Sequence, residues 1–457
     1  MTSSTQIQAR CGPRARQSGQ ALLLGLMLLA VCAALLIMLA RTGTQLSVRE
    51  RLVGAADASA YSAAVWRARV LNSLAYANRT IVAQEVAIAQ AVTLAAWARY
   101  FETLAGRAEL LASVYPPAAA VLSALGQSAA LGADLSDQAM RIEVAARGAP
   151  QVGLAAMLET SQILLLRSAN NFGLSAVANE VAQAHDRRFS AFALADHGHF
   201  AGFVRRQTGE ADHARFREVV LASLDGFTGS DRDRDIRLPL PSSCVGRSTS
   251  LDKWTLWYRK RGSTRLSDDL QSWEALDTGS IHDSRGRGFL GLGRCTEQEA
   301  LPMGWGAAQA SADDSSGRAS MSEASASSRT NPAASVMAQA DRAASGGATL
   351  YRGLSIIHDL SDRETLYPVS RLAVVARAER ERSAASGSTV RIFSTMPSDR
   401  PDETPQRMWA LAAAEVFFRP PPASGRIEYA SLYSPFWQAR LAEITDSERE
   451  EARRHAQ

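Results

Sequence analysis

Lysine is almost missing from this chain of 457 residues: Lys253 and Lys260 are the only two, and arginine carries nearly all of the positive charge. The arginines are scattered among acids and the formal net charge is only +4. No basic block tracks a nucleic-acid backbone, so nucleic acid is not an expected partner. Only four cysteines occur, at 11, 32, 244 and 295, without a paired CxxC spacing, which excludes the common cysteine-rich zinc modules. A His-Glu-x-x-His helix, a Walker loop and a G-x-S-x-G elbow are absent too. Nothing local marks a nucleophile beside an oriented base. No catalytic, cofactor-binding or metal-binding set is expected, and the chain reads as non-enzymatic.

Weaker patterns resolve the same way. "HDRRFSAFALADHGHF" offers His185, Asp196, His197 and His199, with Asp212 and His213 beyond. Residues two apart on a helix point away from each other, so these read as polar residues at a helix end. Asp231, Asp233 and Asp235 alternate as in a calcium loop, but Ile236 and Ser242 stand where its glycine and bidentate glutamate belong. "GRGFLG", Gly286 to Gly291, matches a dinucleotide fingerprint without the strand-to-helix setting it needs, and reads as a loop.

One long apolar run is present. Ala21 to Ala40 contains no charge, with Arg16 before it and Arg41 after it. At about 1.5 Å per residue this matches the roughly 30 Å hydrocarbon core of a bilayer. It is longer than the apolar region of a cleavable signal, and Val31 precedes Cys32 where a lipoprotein signal needs a small residue. A retained transmembrane helix at 21–40, after a tail at 1–20, is expected. Arg10, Arg14 and Arg16 balance Arg41, Arg49 and Arg51, while Glu50 and Asp57 dilute the second side. That leans toward a cytoplasmic N-terminus and an exported body.

The apolar pattern continues in three-, four- and seven-residue steps through Leu46, Val53, Ala60, Leu71, Leu74, Ile81, Val92 and Leu104, and no proline interrupts Ser47 to Gly106. One helix leaving the membrane is expected, with a break or bend at Gly43 or Gly54, and polar residues such as Asn78 and Glu85 among the apolar ones. Further helices are expected at 118–146, 151–206 and 211–224, making 41–225 an antiparallel bundle. From 226 to 306 the composition shifts to tryptophan and β-forming residues. "KWTLWYRKRGSTRLSDDLQSW" reads as two strands joined by a turn at Arg261-Gly262-Ser263. Cys244 and Cys295 are the only cysteine pair in the body and could form a disulfide; two unrelated thiols are the alternative. Trp254, Trp257, Tyr258 and Trp273 are core candidates or, alternatively, a partner-binding face. Residues 307–348 are poor in large apolar side chains and read as a disordered insertion. An α+β unit at 349–445 is expected, with strands at 367–378, 389–395 and 426–432, helices at 405–418 and 435–443, and a frayed charged tail at 446–457. The fold class is α+β: a transmembrane helix continuing into a bundle, then a smaller C-terminal α+β region.

"RQSGQALLLGLMLLAVCAALLIML" followed by "LVGAADASAYSAA" resembles the N-terminal region of TadE/TadG-like proteins of the bacterial tight-adherence (Flp) pilus assembly system. The resemblance covers residues 15–65 and rests on Gly19-Gln20 and on Ala55-Ala56-Asp57-Ala58. It implies an inner-membrane protein with a periplasmic body that works with other pilus-assembly or envelope proteins. "ALAAAEVFFRPPP" and "ASLYSPFWQARL" look like the end of longer members with this head. Gly19-Gln20 is the place where a prepilin-type cut would fall. Leu24 would then occupy the position at which fibre subunits carry glutamate, so an assembly role is expected over that of major subunit. The alternative function is an anchored periplasmic module that recognises cell wall or a small ligand through its tryptophan-rich segment.

Overall fold

The computed structural model describes residues 20–114, 154, 156–194, 199–242, 255–268, 270–287, 294–311, 329–345, 351, 353–362, 365, 367–378, 408–421 and 428–456. Along the chain, α1 (Gln20–Val114) and a helical segment α2 (156–168) lead to α3 (Asn171–His185). Then come β1 (Phe189–Ala193), α4 (His199–Phe203), β2 (Val204–Arg206) and α5 (Glu210–Ala222). The second half holds β3 (Arg234–Pro241), β4 (Thr255–Leu266), β5 (Ser272–Arg287), β6 (Arg294–Ser311) and α6 (Pro332–Ser345). It ends with β7 (His358–Leu360), β8 (Val369–Ala378), β9 (Met408–Phe418), β10 (Trp437–Ala442) and α7 (Asp446–Ala456).

The 95 residues of α1 form one helix with three zones. Alanine and leucine favour helix and no proline interrupts it. Its N-terminal part has an 18-residue window of mean hydropathy 3.0, none of it buried, and is long and apolar enough to cross a membrane. Leu22 is 77% exposed and Leu39 69%. Burial begins at Leu52 and recurs at helical spacing through Ala56, Ala60, Ala63, Leu71 and Leu74. A third zone follows through Ile81, Ala89, Val92, Ala96 and Tyr100. Neither Gly43 nor Gly54 interrupts the helix.

The second and third zones pack on sheets as well as helices, so 41–225 is not a self-contained bundle. The first sheet is antiparallel in the order β1-β8-β9-β10. Leu372, Val374 and Ala376 of β8 and Ala410, Ala412 and Ala414 of β9 share a core with Leu52 to Leu74 of α1 and with α3. On the opposite face, Ala373 and Val375 pack with Leu194 and with Ala452 of α7. The second sheet is β3-β4-β5-β6, also antiparallel. Trp273, Ala275, Ala308 and Ala310 meet α1 from Ile81 to Ala96, while Leu276, Trp305 and Ala307 pack on Ala334 and Ala338 of α6. A ribbon of β2 and β7 forms a separate two-stranded sheet.

The mixed helix-and-sheet class expected from the sequence is the observed one, but several elements differ. The expected helix at 405–418 is strand β9 and the one at 435–443 is strand β10. The alanine run Ala412 to Ala414 has helix propensity, but small side chains on a paired strand let α1 lie close, and tertiary packing overrides propensity. No turn occurs at Arg261-Gly262-Ser263: β4 runs straight through, and the reversal lies at Ser267–Gln271, where Leu270 has φ 60°. Gly262 serves close approach instead, because a Cβ there would lie 2.0 Å from Asp277 Oδ1. Within the expected disordered insertion, β6 extends to Ser311 and α6 buries Ala334 and Ala338 completely. The charged tail is helix α7, held by the buried Ala452. The expected strand at 389–395 and helix at 118–146 lie outside the described residues.

Candidate functional site

The sequence-selected residues fall into different surroundings. Gln20 begins α1, and Gly19 lies outside the described residues. His185 is exposed and bonded to the Val181 carbonyl. Asp212 is buried, accepting from the Gly209 amide at 3.2 Å as it closes the start of α5, and it pairs with Arg205 at 3.0 Å. Asp196 and His197 are outside the described residues. Among those described, no group of three histidine, cysteine, aspartate or glutamate side chains could hold a metal ion. Asp231 pairs with Arg265, and Asp235 with Arg259 and Arg261, so these acids tie β3 and the residues before it to arginines of β4. Cys295 is disulfide-bonded, and Cys32 is free. Cys244 lies outside the described residues.

Within the tryptophan-rich segment, the described aromatic side chains make contacts inside the chain. Trp273 is fully buried and donates its indole N–H to Glu85 at 3.2 Å. Tyr258 is half-buried and its hydroxyl meets that of Tyr100 at 2.5 Å. Trp257 is also half-buried, with the Arg259 guanidinium 5.9 Å from its ring. Trp254 is outside the described residues. Of these core candidates, Trp273 and Tyr258 are engaged with α1 and Trp257 with Arg259 of its own strand.

Two polar clusters fasten α1 to the second sheet. In the first, fully buried Asp277 accepts from Arg232 Nη2 at 2.6 Å and Nε at 3.1 Å, and also pairs with Lys260. Arg232 reaches Thr264 at 3.1 Å, and Thr264 meets Thr93 of α1 at 2.7 Å. Lys260 lies 5.2 Å from the Tyr100 ring centroid. Burial pulls the Lys260 ammonium downward against the pull of Asp277, pushes Tyr258 up to about 12 and raises Tyr100 further. Both phenols stay protonated at neutral pH, so the cluster offers hydrogen bonds rather than a nucleophile. In the second, buried Glu85 accepts from Trp273 and, at 3.0 Å, from Tyr351. Burial pushes its carboxyl up to about 7, outweighing those bonds.

A third network lies near the ribbon. Asn78 of α1 donates to the carbonyls of His358 and Leu432, each at 2.8 Å. Its oxygen accepts from Gln162 at 3.0 Å, and the Gln162 oxygen meets His358 Nδ1 at 2.8 Å. Beside it is a cleft of about 740 Å³ between the α2–α3 junction and the ribbon. These polar residues escape sequence reasoning because their partners are remote in the chain; a polar residue on the apolar face of α1 is the one local signal.

No protein-family model matches this chain, and neither does any curated protein or solved structure.

Proposed function

We propose that this chain is a membrane-tethered, non-enzymatic scaffold that helps assemble or anchor a Tad/Flp-type pilus through protein contacts on the periplasmic side of the inner membrane. The observation that carries this reading is the continuity of α1. The same helix that bears the exposed apolar segment supplies the core of both sheets. A body grown around such a spine is held at a fixed height and angle to the bilayer, which suits a scaffold. The disulfide at Cys295 supports an exported body, since disulfides persist in oxidising compartments. The resemblance of residues 15–65 to TadE/TadG-like heads supplies the choice of system.

Deletion of the protein is expected to abolish or reduce surface pili while pilin synthesis continues. Normal piliation in the deletion strain would overturn the assembly role. Alkaline phosphatase fused after Gln457 is expected to be active, reporting an exported C-terminus. Thiol counting under denaturing, non-reducing conditions is expected to leave Cys244 and Cys295 unreactive, with Cys11 and Cys32 free.

A further inference from the structure

The cleft beside the ribbon has no role in tethering, and its chemistry is specific. Its volume of about 740 Å³ lies within the range typical of small-ligand sites. Ile163, Leu166, Phe172, Phe200 and Val204 give it an apolar lining. Phe200 and Val204 are buried, whereas Phe172 is 86% exposed at the mouth. Three arginines complete the rim. Arg205 is paired with Asp212 and Arg206 with Glu159. Arg167 is exposed, and its side chain has no ion-pair or hydrogen-bond partner among the described residues. Among the described residues, the rim therefore carries one uncompensated positive charge.

His358 also lines the cleft and is 7% exposed. Its tautomer follows from the network behind it. Asn78 points its amide nitrogen at two backbone carbonyls, so its oxygen must accept from Gln162 Nε2. Gln162 is then left with its oxygen toward His358 Nδ1, which must donate. Burial, with nearby Arg206, keeps the ring neutral. The other nitrogen, Nε2, is thereby an acceptor.

We infer that this cleft binds a carboxylate carried on an apolar body with an adjacent N–H group: the carboxylate meets Arg167, the apolar body lies among Ile163, Phe172 and Phe200, and the N–H donates to His358 Nε2. A guanidinium fork matches a planar carboxylate. An acylated amino acid has this chemistry, whether it is a free small acid or the C-terminal residue of a protein chain.

The test uses the full chain in lipid nanodiscs, titrated calorimetrically with N-acetylphenylalanine and N-acetyl-Ala-Ala-Phe, each as free acid and as amide. At least one acid is expected to bind, with its amide roughly tenfold weaker or more, as loss of one charged hydrogen bond requires. Arg167→Ala, at an exposed side chain whose loss should leave the thermal midpoint unchanged, is expected to weaken the acid by a similar factor and leave the amide alone. Ile163→Trp is expected to fill the cleft and block both. Binding of the tripeptide acid alone assigns the site to a protein C-terminus; binding of N-acetylphenylalanine as well assigns it to small acids. Failure of both acids to bind at roughly millimolar concentration, equal binding of acid and amide, or unchanged acid affinity in either variant overturns the inference. None of these outcomes bears on piliation, so the site and the scaffold role stand or fall separately.

Discussion

Glu85 makes the interior of this protein respond to pH. Its carboxyl ionises near about 7 when folded, against 4.5 in an unfolded chain. The folded state therefore holds a proton that the unfolded state has released across that interval. Stability from this group is full below about 4.5 and is lost as pH rises through about 7. The span corresponds to roughly 3 kcal/mol. Glu85→Gln retains an acceptor for Trp273 and Tyr351 without the charge. In denaturant titrations the wild type is expected to lose stability relative to the variant as pH rises across that interval, the contribution of buried His358 being common to both; parallel slopes would show that Glu85 does not titrate there. Asn78 makes a second case. Asn78→Ala strands two buried carbonyls and the Gln162 amide, and is expected to cost about 2–4 kcal/mol in the same measurement. In the sequence both residues stand out as polar interruptions of an apolar helical face. Their partners do not, because Trp273 and Tyr351 lie 188 and 266 positions from Glu85, and local periodicity carries no information at that range.

At the scale of elements, backbone separation decides what is tolerated. Where α1 crosses β6, a Cβ at Gly306 would lie 2.1 Å from the Ala96 carbonyl oxygen and 2.4 Å from the Tyr100 nitrogen. Both are backbone atoms of a helix fixed on two sheets, so neither can yield locally. Gly306→Ala is expected to destabilise by about 2 kcal/mol or more, through overpacking. Gly54, inside the same α1, has nothing within 4 Å of a Cβ. Gly54→Ala is expected to stabilise by about 0.5–1 kcal/mol. Thermal midpoints moving in opposite directions would confirm the contrast; two shifts of one sign would refute it. The same geometry explains which elements were legible. Strand β8 announces itself through β-branched residues, whereas β9 carries the alanine run Ala412 to Ala414 and looks helical until β8 and β10 pair with it. The glycine of Arg261-Gly262-Ser263 resembles a turn signal because sequence shows a missing side chain without showing what fills its space. Helix α6 was missed because its buried apolar residues, Ala334 and Ala338, are too small to mark a core by composition.

For the molecule as a whole, the consequential feature is that the segment long and apolar enough to cross a membrane and the body share one helix. The apolar stretch was legible because hydropathy is a local sum over consecutive residues. The second and third zones of α1 were legible as helix but not as spine, since an alanine-rich face fits a neighbouring helix or a sheet equally well. If the shared helix is what orients the body, breaking it between the zones must separate tethering from function. Leu46 is 55% exposed and lies between Leu39, the last large side chain of the apolar segment, and Leu52, where burial begins. Proline there removes one backbone hydrogen bond and crowds the preceding turn, at about 3 kcal/mol to the helix locally, while leaving both cores untouched. Leu46→Pro is expected to stay in the membrane fraction with a thermal midpoint close to wild type. Spin labels placed at Cys32 and on the exposed face near Tyr76 are expected to give a broadened distance distribution, and piliation is expected to fall. Ala75→Pro, at a fully buried position of α1, is expected instead to unfold the body. Wild-type piliation in Leu46→Pro, despite a broadened distribution, would mean that tethering alone suffices and that the rigidity of α1 serves folding rather than assembly.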